Sequence, residues 1–173
     1  MKGKVWIVFL FISLLAGNLS AQTVYLSPEE ALKLHFKDSA EVTPEKKSLS
    51  ETQTARFKEK TGFPAPKKEW TFYVGKTGKV VDGYALIDNE IGKTEPITFM
   101  TVFSKTGEVA AVEVLVYRES VGSEVRQKSF LRQFSGQGVK EVKPMTGATL
   151  SSRALVKGVA RGKLLWKIFY GQN

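Results

Sequence analysis

Two segments with helix start signals open the pattern of apolar and polar positions. Ser27 is followed by Pro and, three residues on, by Glu, a cap and capping box that predict a helix over residues 27–37. A polar stretch at 38–48 leads to a second helical segment, which begins near Ser50 and ends at Gly62, because glycine adopts the left-handed conformation that terminates helices. We expect these two N-terminal helices to precede the rest of the fold.

From Trp70 the pattern changes to short apolar runs separated by glycine turns, which is typical of antiparallel strands joined by hairpins. The last run is apolar on both faces apart from Glu113, which favours a central strand covered on both sides. The predicted strands cover residues 69–74, 79–87, 97–103 and 109–117.

Two further helices are expected after the strands, over residues 124–134 and from about Ser152 to Tyr170. In the last helix an apolar stripe at steps of three and four residues can lie on the sheet, and Gly158 with Gly162 allows the two backbones to approach closely. The elements together predict an α+β fold, in which a twisted, mainly antiparallel sheet with packed helices is preceded by the two N-terminal helices.

The first residues have the pattern of a secretory signal peptide. Lys2 and Lys4 precede an apolar run at 5–16 that only a serine interrupts, and Ala21 offers a small residue for cleavage. A transmembrane helix needs about 20 apolar residues, so a retained anchor is the weaker alternative. We expect a periplasmic or secreted protein with a signal peptide at 1–21, a helical appendage at 22–68 and one domain at 69–173.

Export limits the kinds of partner that the basic composition can indicate. The net charge of +9 falls to +7 without residues 1–21, which carry two lysines and no acidic residue. For an exported protein, an anionic membrane surface or an acidic redox partner is a better match than nucleic acid, and no nucleic-acid partner is expected. The alternative is that the charge serves solubility alone.

The composition also excludes several kinds of chemistry. The chain has a single histidine, His35, and no cysteine, so one molecule cannot assemble a multi-histidine or thiolate metal site, and no metal is expected. The Gly-x-Ser-x-Gly motif of hydrolases and the glycine-rich phosphate loops of NTPases and Rossmann folds are absent. His35 is expected to have a structural role, and no catalytic residue is predicted.

The most informative segment lies directly before the last helix. Residues 146–152 read Thr-Gly-Ala-Thr-Leu-Ser-Ser, which places small and hydroxyl residues at the start of a basic helix. Unpaired backbone N–H groups and the helix dipole favour an anion at such a start, so the segment is a candidate phosphate site. The cations Lys143, Arg153 and Lys157 lie close in the sequence and strengthen this interpretation.

The segment 146–152 and the row of cations each have an alternative interpretation that is purely structural. A Gly-Ala turn can simply precede a helix that Ser151 or Ser152 caps. A row of cations at steps of four residues, Arg153, Lys157 and Arg161, is often only a solvated helix face.

The segment 146–152 resembles the signature of the FMN-binding domain, which occurs in the flavin-carrying subunits of sodium-pumping NADH:quinone oxidoreductases, in Rnf-type complexes and in small secreted relatives. Three further pieces occur in the family's order: Gly-Lys-Thr-Glu-Pro-Ile at 92–97, Tyr-Arg-Glu-Ser-Val-Gly at 117–122 and Phe-Leu-Arg-Gln-Phe at 130–134. The resemblance covers about residues 70–165.

The resemblance implies that Thr149 carries FMN through a phosphoester bond, which an FAD:protein FMN transferase installs outside the cytoplasm. The flavin then supplies the redox chemistry, and the protein supplies attachment, a pocket and electrostatic tuning. Backbone N–H groups near Thr149 hold the phosphate, while Glu119 and Ser120 contact the ribityl chain or the ring edge. The expected cofactor-binding residues are Thr149, Thr146, Gly147, Ala148, Leu150, Ser151, Glu119, Ser120, Lys143 and Arg153.

Apolar side chains are expected to contribute less to the site. Leu150 packs on the flavin ring or on the sheet, and the sheet is the favoured interpretation. Aromatic residues of strands belong more often to the core than to a ligand stack. The candidates for stacking are Phe99, Phe103, Tyr117 and Phe130.

The expected function is that of an exported FMN-binding electron carrier between a membrane or periplasmic donor and an acceptor, rather than a turnover enzyme. One position departs from the family pattern, because many members have Asp three residues before the signature and this chain has Lys143. The alternatives are an exported non-redox module that has lost its flavin and a flavin-dependent reductase.

Overall fold

The computed structural model of the protein describes residues 22–135 and 139–171, so the expected signal peptide lies outside the described residues. In chain order the elements are β1 (Thr23–Val24), α1 (Pro28–His35), β2 (Glu41–Ser48), α2 (Glu51–Thr61), β3 (Glu69–Thr77), β4 (Val80–Ile91), β5 (Pro96–Ser104), β6 (Val109–Tyr117), α3 (Lys128–Leu131) and α4 (Thr149–Phe169). The six antiparallel strands form one sheet in the order β1-β6-β5-β4-β3-β2, with helices packed on it. The α+β class and the antiparallel sheet are therefore confirmed.

Capping residues set the ends of the first two helices as the sequence predicts. The Ser27 side chain accepts a hydrogen bond from the Glu30 backbone N–H, and Ser50 accepts one from Gln53 in the same way. Gly62 ends α2 with a left-handed φ of 75°. These contacts satisfy helix-end groups that would otherwise lack partners.

The expected arrangement of two N-terminal helices that precede the sheet is not supported. The polar stretch between the helices forms β2, which pairs with β3 over its whole length, from Glu41 opposite Lys76 to Ser48 opposite Glu69. Strand β2 is an edge strand, where proline and lysine are tolerated because one side of the strand needs no partner. The region 22–68 is thus not a purely helical appendage, and the domain boundary after residue 68 stays a prediction.

Strand β6 is covered on both faces, as expected, because Val112 and Val114 belong to one core cluster and Leu115 to the other. It lies between β5 and β1 but pairs with β1 only at Val116 and Tyr117. One other element differs from expectation. The helix expected at 124–134 is broken at Gln127, whose backbone is extended. Two 3₁₀ turns, Ser123–Arg126 and Arg132–Phe134, flank the short α3 instead.

Helix α4 lies on the sheet at close range, as its glycines predict. A side chain at Gly158 would collide with the ring of Phe99, and a Cβ at Gly162 would lie 3.3 Å from Cζ of Phe103. The larger core forms under this helix, whereas α1 covers a smaller cluster that includes Phe36, Met100 and Leu115. The largest buried side chains of the α4 face are Trp70, Tyr117, Phe72, Phe99, Phe103, Phe130, Phe134, Leu86, Ile97 and Leu155.

The two glycines of α4 offer a matched test of this packing. Gly158→Ala is expected to lower the free energy of unfolding by about 1–3 kcal/mol, because the collision with buried Phe99 outweighs the gain in helix propensity. Gly162→Ala is expected to change it by less than about 1 kcal/mol, since the steric and propensity effects nearly cancel. Urea unfolding monitored by tryptophan fluorescence measures both, and equal stability of the two variants would contradict the packing described.

Candidate functional site

The candidate phosphate site lies at the first turn of α4. Helix α4 begins at Thr149, its N-cap residue is Ala148, and no side chain caps it. Ser151 and Ser152 are buried inside the helix, so the alternative of a serine-capped helix is wrong. Ser152 instead donates to the Ala148 carbonyl (2.8 Å) and accepts from the Met145 N–H (3.0 Å), which holds the preceding turn against the helix.

The signature threonine is accessible. Thr149 and Thr146 are both exposed, and the Thr149 hydroxyl donates a long hydrogen bond to the Met145 carbonyl at 3.4 Å. Gly147 has a left-handed φ of 82°, and no atom beyond its two chain neighbours lies within 4 Å of the place where its Cβ would be. The turn before α4 therefore leaves open space at Gly147, two residues before Thr149.

Two of the expected cations remain available to an anion. Lys143 and Arg153 are exposed, and neither forms an ion pair with a described residue. The Lys143 backbone N–H donates to the side-chain oxygen of Gln133 at 2.9 Å, which fixes the backbone at this point. Both side chains can reach toward the start of α4 without breaking a charge pair.

Farther along α4 the cations have another role. Arg161 is only 9% exposed, and its Nε and Nη2 donate to Oδ2 of Asp88 at 3.0 and 2.8 Å. Its Nη1 donates to Glu90, which also pairs with Lys157 at 2.7 Å. The expectation of three cations lined up behind a phosphate is wrong at Arg161, as is the alternative of a solvated face there.

Sequence reasoning missed the two carboxylates that Arg161 binds. Strand positions two apart share a face, so Asp88 and Glu90 point the same way as the buried Leu86. Two acidic residues on the inward face of a strand, together with a cation row on an apolar helix, are the signal that would have predicted this pairing.

A hydrogen-bonded tyrosine joins the loop 118–122 to the same helix turn. The Tyr117 hydroxyl donates to the Val121 carbonyl at 2.6 Å and lies 2.8 Å from Oγ of Ser151. Burial raises the pKa of Tyr117, so the hydroxyl keeps the proton that it donates. A Cβ at Gly122 would lie 2.8 Å from the Ser151 hydroxyl, so only glycine fits there and the loop packs tightly on α4.

Glu119 connects that loop to the turn between β4 and β5. Its Oε1 accepts hydrogen bonds from the backbone N–H groups of Lys93, Thr94 (3.1 Å) and Glu95 (3.3 Å). The carboxylate is thus engaged with backbone, whereas the neighbouring Ser120 is exposed. The structure brings together the turn 92–95, the loop 118–122 and the first turn of α4.

The apolar candidates fall into two groups, exposed residues and core residues. Leu150 is 50% exposed, so the expectation that it packs on the sheet is wrong, and Val121 nearby in the loop is 61% exposed. Both are accessible to a ligand. The aromatic stacking candidates are instead core residues, each no more than 1% exposed: Phe99, Phe103, Tyr117 and Phe130.

The part of the chain that forms this arrangement matches a known protein family. The family model of the FMN-binding domain matches residues 92–162. This segment, 71 of the 173 residues, is therefore similar to the FMN-binding domain family. The match confirms the resemblance inferred from residues 92–97 and 146–152, and it supports FMN as the cofactor. No curated protein matches the chain.

The FMN-binding segment contains every cofactor-binding residue expected from the sequence, from Glu119 to Arg153. In the described parts of the chain, no group of three or more metal-ligating side chains comes together. None of the helices in those ranges combines the length and the apolar character needed to cross a bilayer.

Replacement of Arg161 tests the buried charge cluster. Arg161→Gln is expected to lower the free energy of unfolding by about 3–5 kcal/mol, because it leaves Asp88 and Glu90 buried without their main partner. Arg153→Gln, an exposed change on the same helix, should change it by less than about 0.5 kcal/mol. Urea unfolding measures the free energy of unfolding of both variants. A similar loss of stability in the two would refute a special role for Arg161.

Removal of the Glu119 carboxylate tests the link between the two loops. Glu119→Ala is expected to speed hydrogen exchange at the amides of Lys93, Thr94 and Glu95 by about tenfold or more, since charge-assisted hydrogen bonds contribute about 1.5–3 kcal/mol. Two-dimensional NMR of the exchanging protein measures this. Glu124→Ala, in the neighbouring exposed 3₁₀ turn, should leave those amides unchanged.

Proposed function

We propose that this protein is an exported electron carrier that bears FMN on Thr149 through a phosphoester bond. The observation that carries the proposal is an exposed threonine at the uncapped start of a 21-residue helix, inside a segment that matches the FMN-binding domain family. The residues around this threonine fit each part of FMN.

The phosphate fits the start of α4. With no side-chain cap, the first-turn N–H groups of α4 are free to donate to phosphate oxygens, and the helix dipole favours the negative charge. Lys143 and Arg153 add two accessible cations, one on each side of Thr149 in the sequence. Gly147, two residues before the attachment point, leaves open space where a side chain would lie.

The ring of FMN fits the exposed apolar surface next to that turn. Leu150 and Val121 offer apolar contacts, and Ser120 offers a hydroxyl for the ribityl chain or the ring edge. Glu119 positions the turn 92–95 through its backbone hydrogen bonds. FMN supplies the electron transfer when bound, and these residues hold and orient it.

The signal-peptide pattern of residues 1–21 supports a periplasmic or secreted carrier. Attachment then requires an FAD:protein FMN transferase outside the cytoplasm, which can reach Thr149 because its hydroxyl is exposed. The basic net charge favours a redox partner with an acidic face or association with an anionic membrane surface. The donor and acceptor of electrons are a membrane or periplasmic pair.

Lys143 favours one alternative, a flavin-free exported module. It stands where many family members have an acidic residue, and loss of that residue removes a feature on which the transferase can depend. In a carrier, by contrast, the same lysine pairs with the phosphate as a point charge.

The mass of the intact protein distinguishes the two functions. After coexpression with a flavin transferase and export, the protein is expected to gain the mass of one FMN less one water, because the threonine oxygen displaces AMP from FAD. Thr149→Ala is expected to lose that gain entirely. Thr106→Ala, which removes an exposed threonine outside the candidate site, should keep it.

A Lys143→Asp variant tests whether the acidic residue that this chain lacks is needed for attachment of the flavin. If the parent protein gains no flavin but Lys143→Asp does, the flavin-free module is the correct function. A gain that survives Thr149→Ala would place the attachment elsewhere and refute the proposed linkage.

A further inference from the structure

A cavity lies between α2 and α4, away from the signature. It is an open cleft of about 920 Å³ between the end of α2, the segment 63–67, the end of β4 and the middle of α4. We call it the α2–α4 cleft. A volume of this size is typical of small-molecule sites, which are mostly apolar with a few polar groups. Its apolar lining includes Phe57, Phe63, Pro64, Ile91, Ala160 and Leu164.

Two of the apolar residues lining the cleft are exposed to water in the protein alone. Phe63 is 69% exposed and Ile91 is 56% exposed, although both are large apolar side chains. Exposed apolar surface that lines a concavity marks a binding site more often than isolated surface residues do. A ligand with an apolar body would cover this surface.

The buried charges of the cleft are paired within the protein. Asp88 and Glu90 are buried and bound by Arg161, and the one negative charge that this guanidinium leaves is offset by Lys67 and Lys157. The side chains of these two lysines are 45% and 68% exposed, and each contacts one carboxylate oxygen. An ammonium group has three N–H donors, so each lysine can also donate to a ligand anion while it keeps its buried carboxylate.

Lys60 adds a further cation to the lining. Its side chain is 58% exposed, and its recorded ion pair is a 3.8 Å contact to exposed Glu59 on the same helix. Four cationic side chains line the cleft against two carboxylates, so the lining has a net positive charge. The accessible part of that charge lies on lysines, beside an apolar interior.

We propose that the α2–α4 cleft binds a small amphipathic carboxylate, whose apolar body packs on Phe63 and Ile91 and whose carboxylate pairs with the lysines. The charge of the lining selects an anion over a cation, and the apolar walls select a hydrocarbon body over a small inorganic anion.

This site is distinct from the proposed flavin site. Its lining draws on α2, residues 63–67 and the end of β4, all outside the matched segment 92–162. Along α4 it begins at Lys157, about 12 Å from Thr149 at 1.5 Å per residue. The inference therefore does not depend on FMN attachment.

Calorimetric titration of the full mature protein with dodecanoate, below its micelle concentration, tests the proposal. Saturable binding of one dodecanoate is expected, with at least about tenfold weaker binding of dodecyltrimethylammonium, which has the same chain and the opposite charge. Equal affinity for the two ions, or no binding of dodecanoate, would overturn the proposal.

Two variants on one strand locate the bound carboxylate. Ile91→Asp places a negative charge in the cleft and is expected to weaken dodecanoate binding at least about tenfold. Val80→Asp, an equally exposed change at the other end of β4, should leave the affinity unchanged.

Ala160→Trp, which fills the cleft from the exposed face of α4, provides a second variant that blocks dodecanoate binding and adds no charge. Binding that none of the cleft variants weakens would place the ligand elsewhere and refute the assignment.

Discussion

The buried pairing of Arg161 with Asp88 and Glu90 is the interaction on which the arrangement of the molecule depends. A buried guanidinium must keep its partners, because an unpaired charge in the interior costs several kcal/mol. A shift of α4 by one turn would move Arg161 about 5.4 Å from the carboxylates of β4. The pairing therefore sets the position of the helix along the sheet, and with it the place of Thr149 beside the loop 118–122.

Local signals were sufficient for much of the fold. The caps at Ser27 and Ser50 and the stop at Gly62 involve neighbours within a few residues, so the sequence predicts them directly. Strand β2 could not be predicted in this way. Its residues are mostly polar and include Pro44, and they form a strand because β3 offers a free edge to pair with, which is a property of the tertiary structure.

The candidate site shows the same division. The exposed Thr149, the left-handed Gly147 and the start of α4 follow from a short motif whose geometry is local. The partner of Glu119 lies about 25 positions away in the sequence, and that of Arg161 lies 73 positions away. Several choices of partner satisfy the same charge, so pairs at this separation require knowledge of the strand order.

The short pairing of β1 with β6 determines how the protein can be attached to a surface. Thr23 lies opposite Tyr117, so the described chain enters the sheet about 5 Å from the residue that leads into the loop 118–122. Helix α4 carries the other end of the chain about 30 Å away from its own first turn. If the protein is immobilised on an electrode through Thr23, Thr149 lies near the electrode surface. Immobilisation through Gly171 places Thr149 roughly one domain diameter farther from that surface.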